Sequence, residues 1–198
     1  MKDEPTGSAR RRKIIVFIAT SADGYIARPD GSVEWLNRPR PAGNYGMSAF
    51  FKSIDTILWG RKTYEVALGF TRGRGVGSGP RVKNYVFSRR PLKRPSPDVE
   101  LVRQPIRAFA KRLRATRGKD IWMMGGAGLI ASFLDAGEID EFIVHVIPIL
   151  IGEGIPLVAP RDRLVRLRLL SVRRFSDGVV RLHSAVIREA RGRRPKAP

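Results

Sequence analysis

Apolar residues along this chain fall into runs of two kinds. KIIVFIA (13–19), DTILWG (55–60), KNYVFS (83–88), VELV (99–102) and DIWMMG (120–125) are continuous and rich in β-branched and aromatic residues. That is the pattern of short strands buried on both faces. Between them the apolar spacing becomes helical, over Met47–Ser53, 62–68, Ile106–Ala115 and 128–136. In the third of these, Ile106, Phe109, Ala110 and Leu113 share one face, with Arg107, Lys111, Arg112 and Arg114 outside it. Strands that alternate with helices predict a largely parallel sheet.

The end of the chain follows a different rule. EFIVHVIPIL, LVRLRLLSVRRF and VVRLHSAVIRE succeed one another with no helical stretch between them, and Ser176, Asp177 and Gly178 supply a tight turn between the last two. Residues 164–170 and 179–186 alternate apolar with polar, as antiparallel strands with one wet face do. The expected fold is therefore α/β: a mixed, mostly parallel sheet flanked by helices and ending in an antiparallel C-terminal hairpin.

Composition narrows the chemistry. A chain of 198 residues with 42% hydrophobic content suits one domain with a sizeable core. The absence of cysteine excludes disulfides and thiolate metal sites, and two histidines do not make a histidine-rich one, so no metal is expected. Basic residues crowd both ends, five against two acids in 1–13 and five against one in 188–198. Residues 1–12 and 190–198 are read as disordered basic tails around a domain at 13–189. Eight further lysines and arginines lie between Arg72 and Arg94 without an acid among them, a patch suited to phosphate. Paired arginines ahead of IIVFIA suggest an export signal, but Ser21 to Asp23 end the apolar run too early for one. No run approaches the 18 or so apolar residues of a membrane span, and a cytoplasmic protein is expected.

Three loops at the carboxyl ends of predicted strands carry phosphate-binding chemistry. In LWGRKTYE, Gly60 permits close backbone approach, Arg61 and Lys62 are cations, and Thr63 is placed to cap the next helix. In YVFSRR, Ser88 offers a hydroxyl and Arg89 and Arg90 offer guanidinium forks. In MMGGAGLIASF, Gly125, Gly126, Ala127, Gly128 and Leu129 bring backbone amides to a helix start. Residues 126–131 also fit the dinucleotide fingerprint G-x-G-x-x-A. A Rossmann fold would place that loop after its first strand, with further strand–helix units behind it. Here it comes late, and only strands follow.

These pieces, with FIATSADGYIA near the start and WMMGGAGLIASFLDAGEIDEFIVHVIPILIGEGIPL near the end, resemble the dihydrofolate-reductase-like superfamily. Within it they are most similar to the reductase domain of bacterial bifunctional riboflavin-biosynthesis deaminase/reductase proteins. The resemblance runs from about Lys13 to Glu189. It implies NADPH bound across the sheet: Ala19 and Ile26 meeting the nicotinamide, and Gly60, Arg61, Lys62 and Thr63 near the diphosphate and the 2′-phosphate. Ser88, Arg89 and Arg90 would complete the phosphate pocket, and Gly125 to Leu129 would lie under the diphosphate. It implies hydride transfer to a C=N or C=O of a small heterocyclic, pyrimidine- or pterin-like compound, and a homodimer.

The sequence departs from both relatives on the substrate side. Met47 stands where a dihydrofolate reductase has its carboxylate, and Phe51 where the riboflavin enzymes have a phosphate-contacting arginine; Lys52 or Arg38 are the possible substitutes. Asp23 and Glu34 are the candidate proton donors, and Trp35 a pocket wall or a core aromatic. His145, His183, Trp122, Met123 and Met124 read as packing residues. The competing functions are a basic nucleic-acid-binding module and an NADP-binding protein without turnover, although the aromatics do not interleave with the basic patches as stacking platforms do.

Overall fold

The computed structural model describes residues 10–71, 82–93 and 95–188. Both expected tails, except Arg10 to Arg12, lie outside these residues, as do Arg72, Arg74, Arg81 and Arg94 of the basic patch. Arg12 belongs to the fold: it is buried, pairs with Asp55, and donates to Lys119 O at 2.6 Å and Thr56 Oγ1 at 2.8 Å.

Among the described residues, ten strands and four α-helices make the fold. The strands are β1 (Ile14–Ser21), β2 (Tyr25–Ala27), β3 (Ile54–Gly60), β4 (Lys83–Phe87), β5 (Val99–Val102), β6 (Asp120–Gly125), β7 (Glu141–Ile147), β8 (Ile155–Pro156), β9 (Leu167–Arg174) and β10 (Val180–Val186). The helices are α1 (Met47–Ser53), α2 (Arg61–Phe70), α3 (Ile106–Ala115) and α4 (Ala127–Asp135). Eight strands form one sheet in the order β5-β4-β3-β6-β1-β7-β10-β9, and β2 and β8 pair separately. Neighbours from β5 to β7 run parallel; β10 is antiparallel to both β7 and β9.

Alternate residues of the central strands feed two cores. Ile14, Val16, Leu58, Ile121 and Met123 face Phe109, Leu113, Ile130 and Phe133 of α3 and α4. Ile15, Phe17, Ile57, Trp59 and Trp122 face Phe50, Tyr64 and Leu68 of α1 and α2. Burial on both faces is why these strands read as unbroken apolar runs. A third cluster, Trp35, Ile147, Ile151, Phe175 and Val179, closes one end.

The hairpin departs from expectation in one respect. All eight residues of β9 are exposed, including Leu167, Leu169, Leu170 and Val172, so its apolar positions do not face a core. β9 is the last strand of the sheet, and a β-bulge between His183 and Ser184 shifts its register on β10.

Candidate functional site

Parallel strands deliver their carboxyl ends to one edge of the sheet, and the loops after β1, β3, β4 and β6 therefore meet there. Two of them touch through glycine. A Cβ on Gly60 would lie 3.2 Å from both Gly125 O and Gly126 N, and one on Gly126 would lie 3.0 Å from Thr63 Oγ1 and 3.9 Å from Ile26 Cδ1. A Cβ at either position would crowd the β3–α2 and β6–α4 turns, which meet here beside the segment after β1. The two turns end in helix starts whose N-caps are Gly60 and Gly126, neither with a side-chain cap. The first N–H groups of α2 and α4 are thus available to an anion.

Thr63 does not cap α2 as expected. The helix begins two residues earlier, at Arg61, which puts Thr63 in the first turn with its hydroxyl beside Gly126. Arg61 makes a two-pronged pair with Glu65, 2.8 Å to each oxygen. Ser88 is used locally: its hydroxyl donates to Arg90 O at 2.7 Å and accepts from Arg90 N at 3.1 Å. Lys62, Arg89 and Arg90 are exposed around this groove.

Ile18 joins the groove, where its Cδ1 would lie 3.8 Å from a Cβ on Gly125, to a second feature, a cavity of about 260 Å³ that Ala19 also lines. Its aromatic and apolar lining comes from Phe17, Trp122, Met47, Met124 and Ile147. His145, Tyr45, Asn44, Arg38 and Arg40 supply its polar lining. Met47 thus stands in the cavity. Trp35 and Phe51 do not line it: Trp35 packs in the third cluster, and Phe51 lies edge-on to Trp122 at 6.5 Å.

The segment before α1 has unusual backbone. Gly43, Asn44, Tyr45 and Gly46 all have positive φ, +80°, +45°, +56° and +88°. Two consecutive non-glycine residues in that region carry strain, which the surroundings must hold in place. The holding contacts are visible. Tyr45 donates its hydroxyl to Asp177 Oδ2 at 2.5 Å, and its carbonyl accepts from His145 Nε2 at 3.2 Å. Because a carbonyl only accepts, Nε2 carries the proton. Burial, with a smaller contribution from Arg181, lowers the His145 pKa and keeps the ring neutral.

Neither expected proton donor is poised as an acid. Asp23 accepts from the amides of Gly152 at 2.8 Å and Ile151 at 3.1 Å, and hydrogen bonding, chiefly from Ser21, lowers its pKa. Glu34 is held by Arg28 Nε at 2.5 Å and Ser32 Oγ at 2.9 Å, which lower its pKa too. Both carboxyls are therefore ionised near neutral pH. Sequence reasoning passed over Tyr45 and Arg40, read Asp177 only as a turn residue, and took His145, Trp122 and Met124 for packing. Among the described residues no cluster of side chains suits a metal ion, and no helix is long and apolar enough to cross a membrane.

Comparison with known proteins agrees with this geometry. The family model of the RibD C-terminal domain matches residues 12–181. The Bacillus subtilis protein YwjB is 38% identical over 168 residues, covering 85% of this chain and 95% of YwjB. A crystal structure assigned to riboflavin biosynthesis, from Shewanella sp. PV-4, superposes with a TM-score of 0.77 at 27% identity, over 89% of this chain and 99% of that one. The dihydrofolate reductase of Enterococcus faecalis, complexed with NADP(H), shares the fold at a TM-score of 0.60 and 15% identity, over 88% and 95%.

Proposed function

The chain belongs to the RibD C-terminal domain family, and from that premise we propose that it is an NADPH-dependent reductase of a small heterocyclic compound. The observation that carries this reading is the close approach of Gly60, Thr63, Ile26 and Ile18 to Gly125–Gly126, with Ile18 also lining the cavity. A groove with two uncapped helix starts and no Cβ at its narrowest points fits a diphosphate. NADPH, when bound, supplies the hydride.

The chain's own residues supply position. The amides after Gly60 and Gly126 would hold the diphosphate, and Arg89, with Arg61 and Ser88 exchanging their contacts to Glu65 and Arg90, would hold the 2′-phosphate. Ala19 and Ile26 would set the nicotinamide against the cavity, where Phe17 and Trp122 would exclude water from a flat ring. Orientation of this kind is a large share of what a protein contributes to hydride transfer. The matching proton comes from solvent, since Asp23 and Glu34 are held ionised.

Calorimetric titration with NADPH and NADH tests the assignment. NADPH is expected to bind about tenfold tighter or more, and Arg61→Ala or Arg89→Ala to reduce that preference, since each removes a charge-assisted hydrogen bond to phosphate. Equal affinity for the two cofactors overturns the cofactor assignment. The homodimer also remains our reading. A second copy laid on β9 and β10 would cover Leu167, Leu169, Val172 and Leu182, apolar residues 36% exposed or more. Light scattering that finds only monomer refutes it.

A further inference from the structure

At the opposite edge of the sheet from the cofactor groove, around the starts of β1 and β7, lies a larger groove of about 1100 Å³. Among the described residues six cations line it: Arg11, Arg107, Lys111, Arg114, Arg166 and Arg188. Two acids line it, Asp135 and Glu138, and both are already engaged. Asp135 holds Arg161 and Arg163, and Glu138 holds Arg114. Asp140, the residue before β7, is shared by Arg11, Arg114 and Arg188 at 3.6, 2.6 and 2.6 Å. Three carboxylates thus serve five guanidinium groups, and none of them serves Arg107 or Lys111.

Those two residues are neighbours on α3, four positions and one turn apart, and both are exposed. Among the described residues Arg107 reaches only a carbonyl, Ala136 O at 3.2 Å, and Lys111 has no hydrogen bond or ion pair. The rest of the lining is largely aliphatic. Leu164 is 83% exposed and Ile187 45%, on two stretches joined by the bond from Ile187 N to Arg166 O at 2.9 Å. No aromatic ring is among the described lining residues. These features choose between occupants. Single-stranded nucleic acid stacks its bases on aromatic rings, and this groove offers none. A second copy of a chain with 38 lysines and arginines against 18 acids brings like charge, and the leucines and valine assigned to the homodimer do not line the groove. An acidic segment with aliphatic side chains answers both the unneutralised cations and the exposed Leu164 and Ile187.

We propose that this groove docks an acidic, leucine-bearing segment of a partner protein. Arg107 and Lys111 receive its carboxylates, and Leu164 and Ile187 receive its aliphatic side chains. Recognition of an amphipathic segment in a groove divides the work in this way: apolar anchors fix the register, while the charges steer the encounter and turn away basic partners. The surface shares no residue with the glycine loops or with the cavity beside Ala19, so the inference stands independently of the reductase reading.

Fluorescence anisotropy on the full chain at low salt tests this with four labelled probes. They are a ten-residue peptide of glutamates with two leucines four positions apart, its glutamate-to-glutamine and leucine-to-serine forms, and a ten-nucleotide oligothymidylate. The first peptide is expected to bind below millimolar concentration, and each altered peptide about tenfold more weakly or worse. The double variant Arg107→Glu/Lys111→Glu reverses two exposed charges and should weaken the acidic peptide about tenfold or more. Leu164→Ser, at another exposed position, should weaken it about threefold. The same charge reversal placed on β9, Arg168→Glu/Arg174→Glu, changes the net charge equally and should leave binding within about twofold. No binding at millimolar peptide, equal binding of either altered peptide, or equal losses from the two double variants overturns the proposal. So does oligothymidylate that binds more tightly than the peptide and is lost with the α3 variant, which would make the groove a nucleic-acid surface.

Discussion

The groove and the cavity share Ile18 but are built from different materials. The groove is made of backbone: glycines where an added Cβ would meet the facing turn at about 3.2 Å, and two helix starts without a side-chain cap. The cavity is made of side chains, brought from β1, segment 36–47, β6 and β7. A backbone site recognises what every member of a cofactor class has in common, a diphosphate. A side-chain site can be rewritten residue by residue without disturbing the sheet. Met47 lines the cavity, while Phe51 packs edge-on to Trp122 and does not line it.

The sharpest way to break this contrast is a reciprocal pair of substitutions. Gly60→Val places two methyl groups where even a Cβ meets Gly125 O and Gly126 N at 3.2 Å. Displacement of the two turns by about an ångström should lower NADPH affinity roughly 100-fold. Met47→Trp fills much of the 260 Å³ cavity and should abolish turnover while changing NADPH affinity less than about twofold. Calorimetry for the cofactor and NADPH oxidation for turnover read both effects. If Gly60→Val leaves NADPH binding intact, or Met47→Trp destroys it, the groove and cavity are not separable in this way.

The same contrast explains what could be read from the sequence. Parallel strands covered on both faces must be apolar throughout, so β1, β3, β4, β5 and β6 stand out, and α1 and α3 have the bounds that their spacing implies. The groove was legible because glycine is rare where a site does not need it, and the need sits within a few consecutive residues. The cavity had no such local mark. Tyr45 and Asp177, whose hydrogen bond holds its wall, are 132 positions apart. Trp122 and His145 lie inside strands, where an aromatic or histidine reads as core until the covering layer is known. One signal was present: Gly-Asn-Tyr-Gly at 43–46, where two glycines flank the residues that adopt positive φ. For β9 alternation misled, because it predicts a wet and a dry face but cannot say whether anything covers the dry one.

A smaller effect sharpens the comparison from the cavity side, through the one titratable group buried in its wall. His145 has its pKa lowered from 6.5 chiefly by desolvation, and no comparable group lies among the glycines of the groove. Between that lowered value and 6.5 the unfolded chain binds a proton that the folded chain refuses. Stability contributed by neutral His145 is therefore lost as pH falls through this window, and is fully present above 6.5. The carboxylates Glu141 and Asp177 also lose stabilisation in acid, but below their ordinary values of 4.5 and 3.8, because both are shifted downward. Subtracting the unfolding free energy of His145→Gln from that of the native chain, measured in denaturant at a series of pH values, isolates the histidine. The difference should rise with pH up to about 6.5 and then level off. A difference that is flat from pH 5 to 7 would mean that His145 keeps its proton in the folded wall, and that the cavity carries one more positive charge than its burial implies.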